Sequence, residues 1–537
     1  MRLKTHLFLS LATCALVLAP LSTRAASNDS AATGGVEVTS AVSHDHLPSL
    51  RGTMPKPDAY DQGSPHVKEW KKIPHIDSGG FVQDGAVQGA PVSGAASTIA
   101  GLGFDGVGNG FKGPQGIFTV NAAPPDTTGA VGATQYVQWV NSSFAVFDKT
   151  TGAAVYGPVA GKTLWSGFGG PCETQNDGDP IVKYDRIAGR WVMMQFAVPN
   201  GGPYFQCVAV SQTSDATGGW YRYAFQYTNF PDYPKAGVWP DAYYVTFNMF
   251  SGNSFAGARL CAYDRNKMLT GAAATQQCFQ LSTSYGGVLP ADLAGATLPP
   301  AGAPNYMLNK GSTALNFWKM HVDWATPANT TLSAPVALPV TAFNAACGGG
   351  TCIPQAGTAQ QLDSLADRLM YRLAYRNLGT AESLVVNHSV AVGTTRKNTY
   401  AAVRWYELRN LSAGTPTVYQ QSTYAPDSTF RWLGSIAMDK MGNIALGYST
   451  SSTALHPGIR YATRLATDPL NTLSNETTIL QGNGSQLSNL NRWGDYSTMT
   501  LDPADDCTFW YTSEYLPANG TFNWSTRIAS FKIAGCQ

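Results

Sequence analysis

Phe430-Arg431-Trp432-Leu433-Gly434 returns 61 residues later as Asn491-Arg492-Trp493-Gly494-Asp495. Each copy leads into an apolar run, an Asp turn and a second run. These are 435–438 (SIAM), Asp439 and 444–448 (IALGY) in the first, and 498–501 (TMTL), Asp502 and 508–512 (TFWYT) in the second. Self-similarity at a fixed interval marks a repeat architecture. An interval of this length suits one blade of a propeller with long connections.

The same grammar extends outward. An apolar residue directly ahead of Asp and a turn recurs at Phe147-Asp148, Tyr184-Asp185 and Tyr263-Asp264. Asp at the first turn position accepts from backbone N–H groups two residues on. Between the turns stand short β-branched and aromatic runs, such as 136–141 (YVQWVN), 190–196 (RWVMMQF), 205–210 (FQCVAV), 242–247 (AYYVTF) and 383–390 (SLVVNHSV). Helical periodicity is scarce. Many short strands with regular turn signals read as a sandwich or a propeller, and the repeats favour the propeller. The expected fold class is all-β, a β-propeller over 119–537, preceded by a flexible N-terminal segment. Seven blades would fill those 419 residues. Two fused sandwiches are the rival.

Residues 1–25 read as a secretory signal peptide: Arg2 and Lys4, an apolar stretch over 7–21, then small residues at Thr23 and Ala25. Residues 26–118 are rich in Ala, Gly, Ser and Pro, and form a leader that is either flexible or wrapped along the surface of the main domain. Without the signal peptide the net charge moves from +1 to −2, which argues against a nucleic-acid partner. No later stretch is apolar enough to span a membrane. Eight of the nine cysteines remain, an even number that suits disulfides in an exported chain. Neighbouring couples are expected: 172 with 207, 261 with 278, 347 with 352, and 507 with 536. No C-x-x-C pair or suitably spaced histidine supports zinc. The expected location is extracellular, or periplasmic in a Gram-negative source.

The hairpins at 438–443 (MDKMGN) and 500–510 (TLDPADDCTFW) loosely resemble the Asp-box hairpins of sialidase-like (BNR-repeat) propellers. The Ser is missing from the first copy and the Gly from the second. Asp-boxes are structural turns away from the sialidase site, so the resemblance implies fold and not activity. The segments 124–132 (PPDTTGAVG), 176–182 (NDGDPIV) and 492–495 (RWGD) are also similar to a group of uncharacterised secreted bacterial β-propeller proteins, a likeness that implies no activity.

Chemistry is expected where the innermost strands converge on one mouth of the channel. Four turns that look like blade starts carry an acid: Asp126, Asp179, Asp241 and Asp495. Carboxylates gathered there would serve as the acid and base of glycoside cleavage, or would hold Ca2+. The competing reading is that each caps its own turn. Arg431 and Arg492 share the repeat position, and Arg368, Arg372 and Arg376 would share one face of a strand. Guanidinium forks suit a carboxylated sugar, while inter-blade Arg–Asp networks are the competing reading. His388 on a strand is a candidate proton shuttle. Trp239 and Trp493, with Trp165, Trp220, Trp318 and Trp432, would either face sugar rings or wedge blades together. No nucleophile elbow, phosphate loop or dinucleotide fingerprint appears.

Two functions follow as expectations. One is a secreted carbohydrate-active enzyme, a glycoside hydrolase or polysaccharide lyase acting on an extracellular glycan. Asp179, Asp241, Asp495 and His388 would be catalytic; Asp126, Arg372, Arg431, Arg492, Trp239 and Trp493 would bind substrate. No cofactor beyond Ca2+ is implied. The other is a non-catalytic propeller that binds glycan or protein.

Overall fold

A computed structural model describes residues 1, 32–57, 65–69, 71–74, 80–92, 97–412 and 414–537. The signal-peptide reading falls outside these residues. Among them the strands group into seven antiparallel units of four strands, taken in chain order around a ring. The innermost strands are β1 (Thr128–Val131), β2 (Ile181–Asp185), β3 (Phe230–Val238), β4 (Leu289–Leu293), β5 (Met370–Asn377), β6 (Phe430–Met438) and β7 (Thr498–Leu501). Each packs against the next, and β7 returns to β1. Among these seven only β4 and β5 hydrogen-bond to one another, in parallel. Elsewhere units meet through side chains, so the ring consists of radial sheets and is a β-propeller.

The interior strands of each unit are covered on both faces and therefore lose the polar alternation of an exposed sheet. Ile444–Ser452 is buried along all but its last residue. Aromatic wedges fill the gaps between units. Tyr461 stacks on Phe531 at 3.8 Å, and Trp432 meets Trp493 at 5.9 Å, both between the sixth and seventh units. The Asp turns act locally. Asp439 Oδ1 accepts from the N–H groups of Met441 and Asn443, and Asp502 Oδ1 from that of Ala504. The Asp turns fall at different hairpins in different units, which explains why the repeat looks irregular.

The leader carries almost no apolar period of its own, yet its described parts are ordered by borrowing sheet edges. Glu37–Ser40 adds a fifth strand to the third unit and Ser43–Leu47 to the second. Val87–Gln88 lies parallel to the fifth unit's outer strand. Thr98–Asp105 is the fourth strand of the last unit, paired with Ser525–Ile533. The last unit is thus completed by a strand from before the first unit and one from near residue 530. These additions cover exposed edges, where unpaired N–H and C=O groups invite wrong pairing. The last sheet thus draws its outer strand from residues before 119.

Cys172–Cys207, Cys261–Cys278, Cys347–Cys352 and Cys507–Cys536 form four disulfides, the pairing expected from their order. They are compatible with an exported protein. No helix among the described residues is long and apolar enough to cross a membrane.

Candidate functional site

Every unit turns into the channel through a residue with positive φ. These are Asp126 (48°), Asp179 (46°), Tyr233 (54°), Gly287 (60°), Leu365 (44°), Leu433 (50°) and Asp495 (59°). In β3 and β6 the residue sits inside a register shift of the strand itself. Aside from Gly, Asp and Asn tolerate this region best. The turn role and the mouth role of Asp126, Asp179 and Asp495 are therefore one role: the backbone turn delivers each acid to the same rim.

Asp232 and Lys235, on β3, join these acids. Sequence reading missed them because they lie inside a strand. A signal existed: Tyr233-Pro234 repeats the turn-then-proline pattern of Asp179-Pro180. Lys235 is buried; its Nζ lies 3.5 Å from the Tyr233 ring centroid and 3.9 Å from that of Tyr496, and donates to Pro234 O at 2.9 Å. Arg492 Nη1 reaches Asp363 Oδ2 at 2.7 Å, and its Nη2 reaches Asp495 Oδ2 at 2.6 Å. Behind them Gly494 N–H donates to Glu514 Oε2 at 2.8 Å.

Burial dominates the electrostatics. It lifts Asp126 well above the carboxylate range, and Asp495 and Asp179 add to the effect. Asp126 Oδ1 has no hydrogen-bond partner among the described residues. Asp232 is pushed up to about 8 by burial and by the neighbouring Asp179. Asp179 itself rises, chiefly through burial and against the pull of Lys235. Lys235 is pushed down to about 8 by burial, although Asp179 and Asp126 resist. Burial also raises Asp363 to about 6 despite Arg492, and raises Glu514 well above its usual range. Asp179 and Asp232 are the partly exposed members of the cluster. Groups so placed titrate as a set, which is how proton donors and acceptors are separated near neutral pH.

Below the acids lies a floor of Tyr233, Tyr371 and Tyr496. Tyr496 Oη donates to Pro180 O at 3.0 Å and Tyr233 Oη to Asp495 O at 3.3 Å. Lys235 stands on one side of the Tyr371 ring and interacts with it at 6.0 Å; Lys183, at 4.4 Å, belongs to the next layer down. β5 runs the length of the channel and carries Arg372 and Arg376 along it, with Arg368 two residues before its start. Arg368 pairs with Asp367 near the mouth, Arg372 with Asp292 beneath the floor, and Arg376 with Asp506 at the far end.

Above the acids, residues 65–69 and 71–74 of the leader cross the mouth. His66–Val67 pair with Ala122–Ala123, Lys68 Nζ donates to Asp177 O, and Lys68 O accepts from Arg492 Nε at 3.0 Å. Lys71 Nζ sits 5.6 and 5.4 Å from the Phe230 and Phe250 ring centroids. Ile73 is buried beside Gly286, Gly287 and Arg368. This strap touches the entrances of several units and narrows access to the cluster.

The remaining expected site residues lie elsewhere. Asp241 follows β3 instead of preceding it, so it sits at the opposite end of that strand. Its Oδ2 accepts from Tyr244 Oη at 3.3 Å, and burial pushes it up to about 6. His388 is fully buried in the fifth unit, stacked on Tyr406 with Nε2 3.0 Å from its Oη. Burial, with Lys310 and Arg404, holds it well below the usual histidine range. A neutral buried imidazole has no route to the mouth. Arg431 clamps Glu476 at 2.8 and 2.9 Å within its own unit. Arg372 lies under the tyrosine floor. Trp239 is buried edge-on to Tyr306 and Tyr375, donating to Ala303 O at 3.1 Å. Trp493 is buried against Trp432 and donates to Ser449 Oγ at 3.2 Å. Trp165, Trp220, Trp318 and Trp432 are fully buried as well, so the six tryptophans are wedges and not sugar platforms. No group of three or more His, Cys, Asp or Glu side chains among the described residues is placed to hold a metal ion, so the Ca2+ reading finds no donor set here.

The chain matches no family model, and no curated protein matches it in sequence. Solved structures with partial likeness include an exo-β-1,3-galactanase from Clostridium thermocellum, at 12% identity and TM-score 0.29 over 76% of this chain and 91% of that one. The WD40 domain of SCAP from fission yeast gives 8% and 0.31 over 75% and 82%. The N-terminal domain of Nup159 gives 8% and 0.32 over 87% and 99%. At such low likeness none of them bears on activity, and the fold stands on the sheet topology above.

Proposed function

We propose that this is a secreted carbohydrate-active protein and that its mouth acids hydrolyse a glycosidic bond of an extracellular glycan. One observation supports the reading: Asp179 and Asp232 are the partly exposed acids of the cluster, and burial with the neighbouring Asp179 pushes Asp232 up to about 8. A carboxylic acid beside a carboxylate is what acetal cleavage needs, one to protonate the leaving oxygen and one to attack or to activate water. Asp232 is the donor and Asp179 the carboxylate. Arg492, Lys235 and Asp495 hold the surrounding charge in place and are positioning residues. The strap must shift for a polymer to reach the pair.

The test uses the full chain and the strap-loosened variant Lys71→Ala/Ile73→Ala. Both are offered a panel of neutral and uronic-acid polysaccharides, followed by reducing-end release and ultraviolet absorbance. Release without absorbance is expected, strongest in the loosened chain, and lost in Asp179→Asn and in Asp232→Asn. The rate should fall as pH rises through about 8, where Asp232 gives up its proton. Absorbance from an unsaturated uronate would replace hydrolysis by lyase chemistry.

A second reading is favoured by the near-complete burial of Asp126 and Asp495 beneath the strap. It is a non-catalytic recognition propeller whose channel charges are structural. Silence of both chains on every substrate, with measurable binding to one, would establish that reading and remove the first.

A further inference from the structure

At the far end of the channel, below the tyrosine floor, cations outnumber anions. Lys183 on β2 and Arg372 on β5 share one carboxylate oxygen, Asp292 Oδ2, at 2.7 and 2.6 Å. The other oxygen of Asp292 is engaged by Val238 N–H at 3.0 Å. Arg186 and Arg376 likewise share Asp506, at 2.5 and 3.3 Å. Four cations thus face two carboxylates. Nearby acids do not redress this. Asp185 pairs with Arg265, and Asp502 with Lys149. Asp439 supplies a third negative charge at the Arg376 end, but the group that lines the cavity, Lys183 and Arg372 on Asp292, keeps two cations to one carboxylate.

Between Lys183, Arg186, Asp292 and Arg372 lies a cavity of about 40 Å³, lined also by Thr500. The Thr500 hydroxyl is shielded from solvent and has no partner among the described residues. Arg376 Nε is likewise buried without one. Buried cations without matching anions are costly, and a free hydroxyl donor beside them points to a missing acceptor. A water needs roughly 10–15 Å³ on this measure. The cavity therefore takes a small ion with a water or so, and excludes a sugar or a nucleotide.

We propose that this cavity is a binding site for one small inorganic anion, of chloride to phosphate size, held by Lys183, Arg186 and Arg372 with the Thr500 hydroxyl donating. It would fasten β2, β4, β5 and β7 together at the end opposite the acid mouth. The inference is independent of any activity there.

The experiment is a thermal unfolding titration of the full chain at constant ionic strength. Sodium gluconate, whose anion is too large for the cavity, is exchanged stepwise for sodium chloride and, separately, for sodium phosphate. A saturable rise in Tm is expected with at least one small anion, and its identity separates a halide from an oxyanion site. Ligand at a hundredfold its Kd would add about 2.7 kcal/mol. Chloride-35 NMR gives a second readout, in which bound chloride broadens the free-ion line. Arg186→Gln, chosen because Arg186 is the most exposed of the three cations, should abolish saturation and broadening. Thr500→Val removes only the hydroxyl and should weaken apparent affinity several-fold. A non-saturating response equal for all three anions, or a saturable one untouched in both variants, would overturn the proposal.

Discussion

Replacing Arg492 by alanine is expected to lower stability by about 3–5 kcal/mol, the range for breaking a buried ion pair from one side. The residue is only 5% exposed, and its guanidinium spans three parts of the molecule. It binds Asp363 at the end of the strand Thr358–Asp363, Asp495 from the turn before β7, and the Lys68 carbonyl of the strap. Removing it leaves two carboxylates without their nearest opposing charge, beside Asp126 and Glu514, which burial already pushes towards neutrality. The acids can escape part of the cost by binding protons, so the loss should be smaller at pH 5 than at pH 8. Arg492→Lys should recover only a fraction, because one ammonium cannot span two carboxylates and a carbonyl as the fork does. Denaturant midpoints of the three proteins at the two pH values test this. Equal midpoints for Arg492→Ala and the parent at pH 8 would mean that the mouth is held by packing and not by this ion network.

The same residue shows where sequence reading succeeds and where it stops. Arg431 and Arg492 occupy matching places in a repeat, and both precede a buried tryptophan. The two tryptophans do meet, because their shape is used in the same gap. The arginines diverge because each follows the nearest carboxylates, Glu476 and Asp427 for one and Asp363 and Asp495 for the other. Asp427 and Asp495 lie within four residues of their arginines, but Glu476 and Asp363 are 45 and 129 residues away, where no short pattern reaches. Asp126, Asp179 and Asp495 were legible because a positive-φ turn selects Asp by local sterics. Asp241 looks alike in sequence, yet it ends an inner strand instead of starting one, and the two ends of a strand read the same. Asp232 was invisible because its bend is a bulge within β3. The leader's pairing left no signal for a different reason. Its order comes from edges it pairs with, and a borrowed edge leaves no apolar period in the borrower.

Stability should fall as pH rises from about 4 to 8, then recover in part towards pH 10. Asp363 and Asp241 titrate near 6 and Asp232 near 8 in the folded chain, all above the usual 3.8. Asp126 and Glu514 are raised as well. Between the unfolded and folded values, the folded state binds more protons than the unfolded one. The slope of unfolding free energy with pH is then negative, about 1 kcal/mol per pH unit for each such group. His388 works the other way. Its folded form stays neutral while the unfolded chain takes a proton below about 6.5, and one histidine offsets one acid in the lower half of the window. Asp292 and Glu476 are held low, so their contribution is lost only below pH 4. Above pH 8 the sign reverses. Lys183 and Lys235 shed their protons near 8 when folded, while the unfolded chain keeps them to about 10. Near pH 10 the buried tyrosines, raised by burial, turn the slope down again, because the unfolded chain ionises first. Denaturant midpoints in half-unit steps from pH 4 to 10, at fixed ionic strength, trace the curve. Asp232→Asn should take one proton's worth of slope out of the whole window from 4 to 8, flattening the limb between 6 and 8 and leaving a shallower limb, carried by Asp363 and Asp241, between 4 and 6. A parent protein whose stability climbs steadily from pH 5 to 8 would mean that these acids are solvated in solution, and the assignment of Asp232 as proton donor would fall with that result.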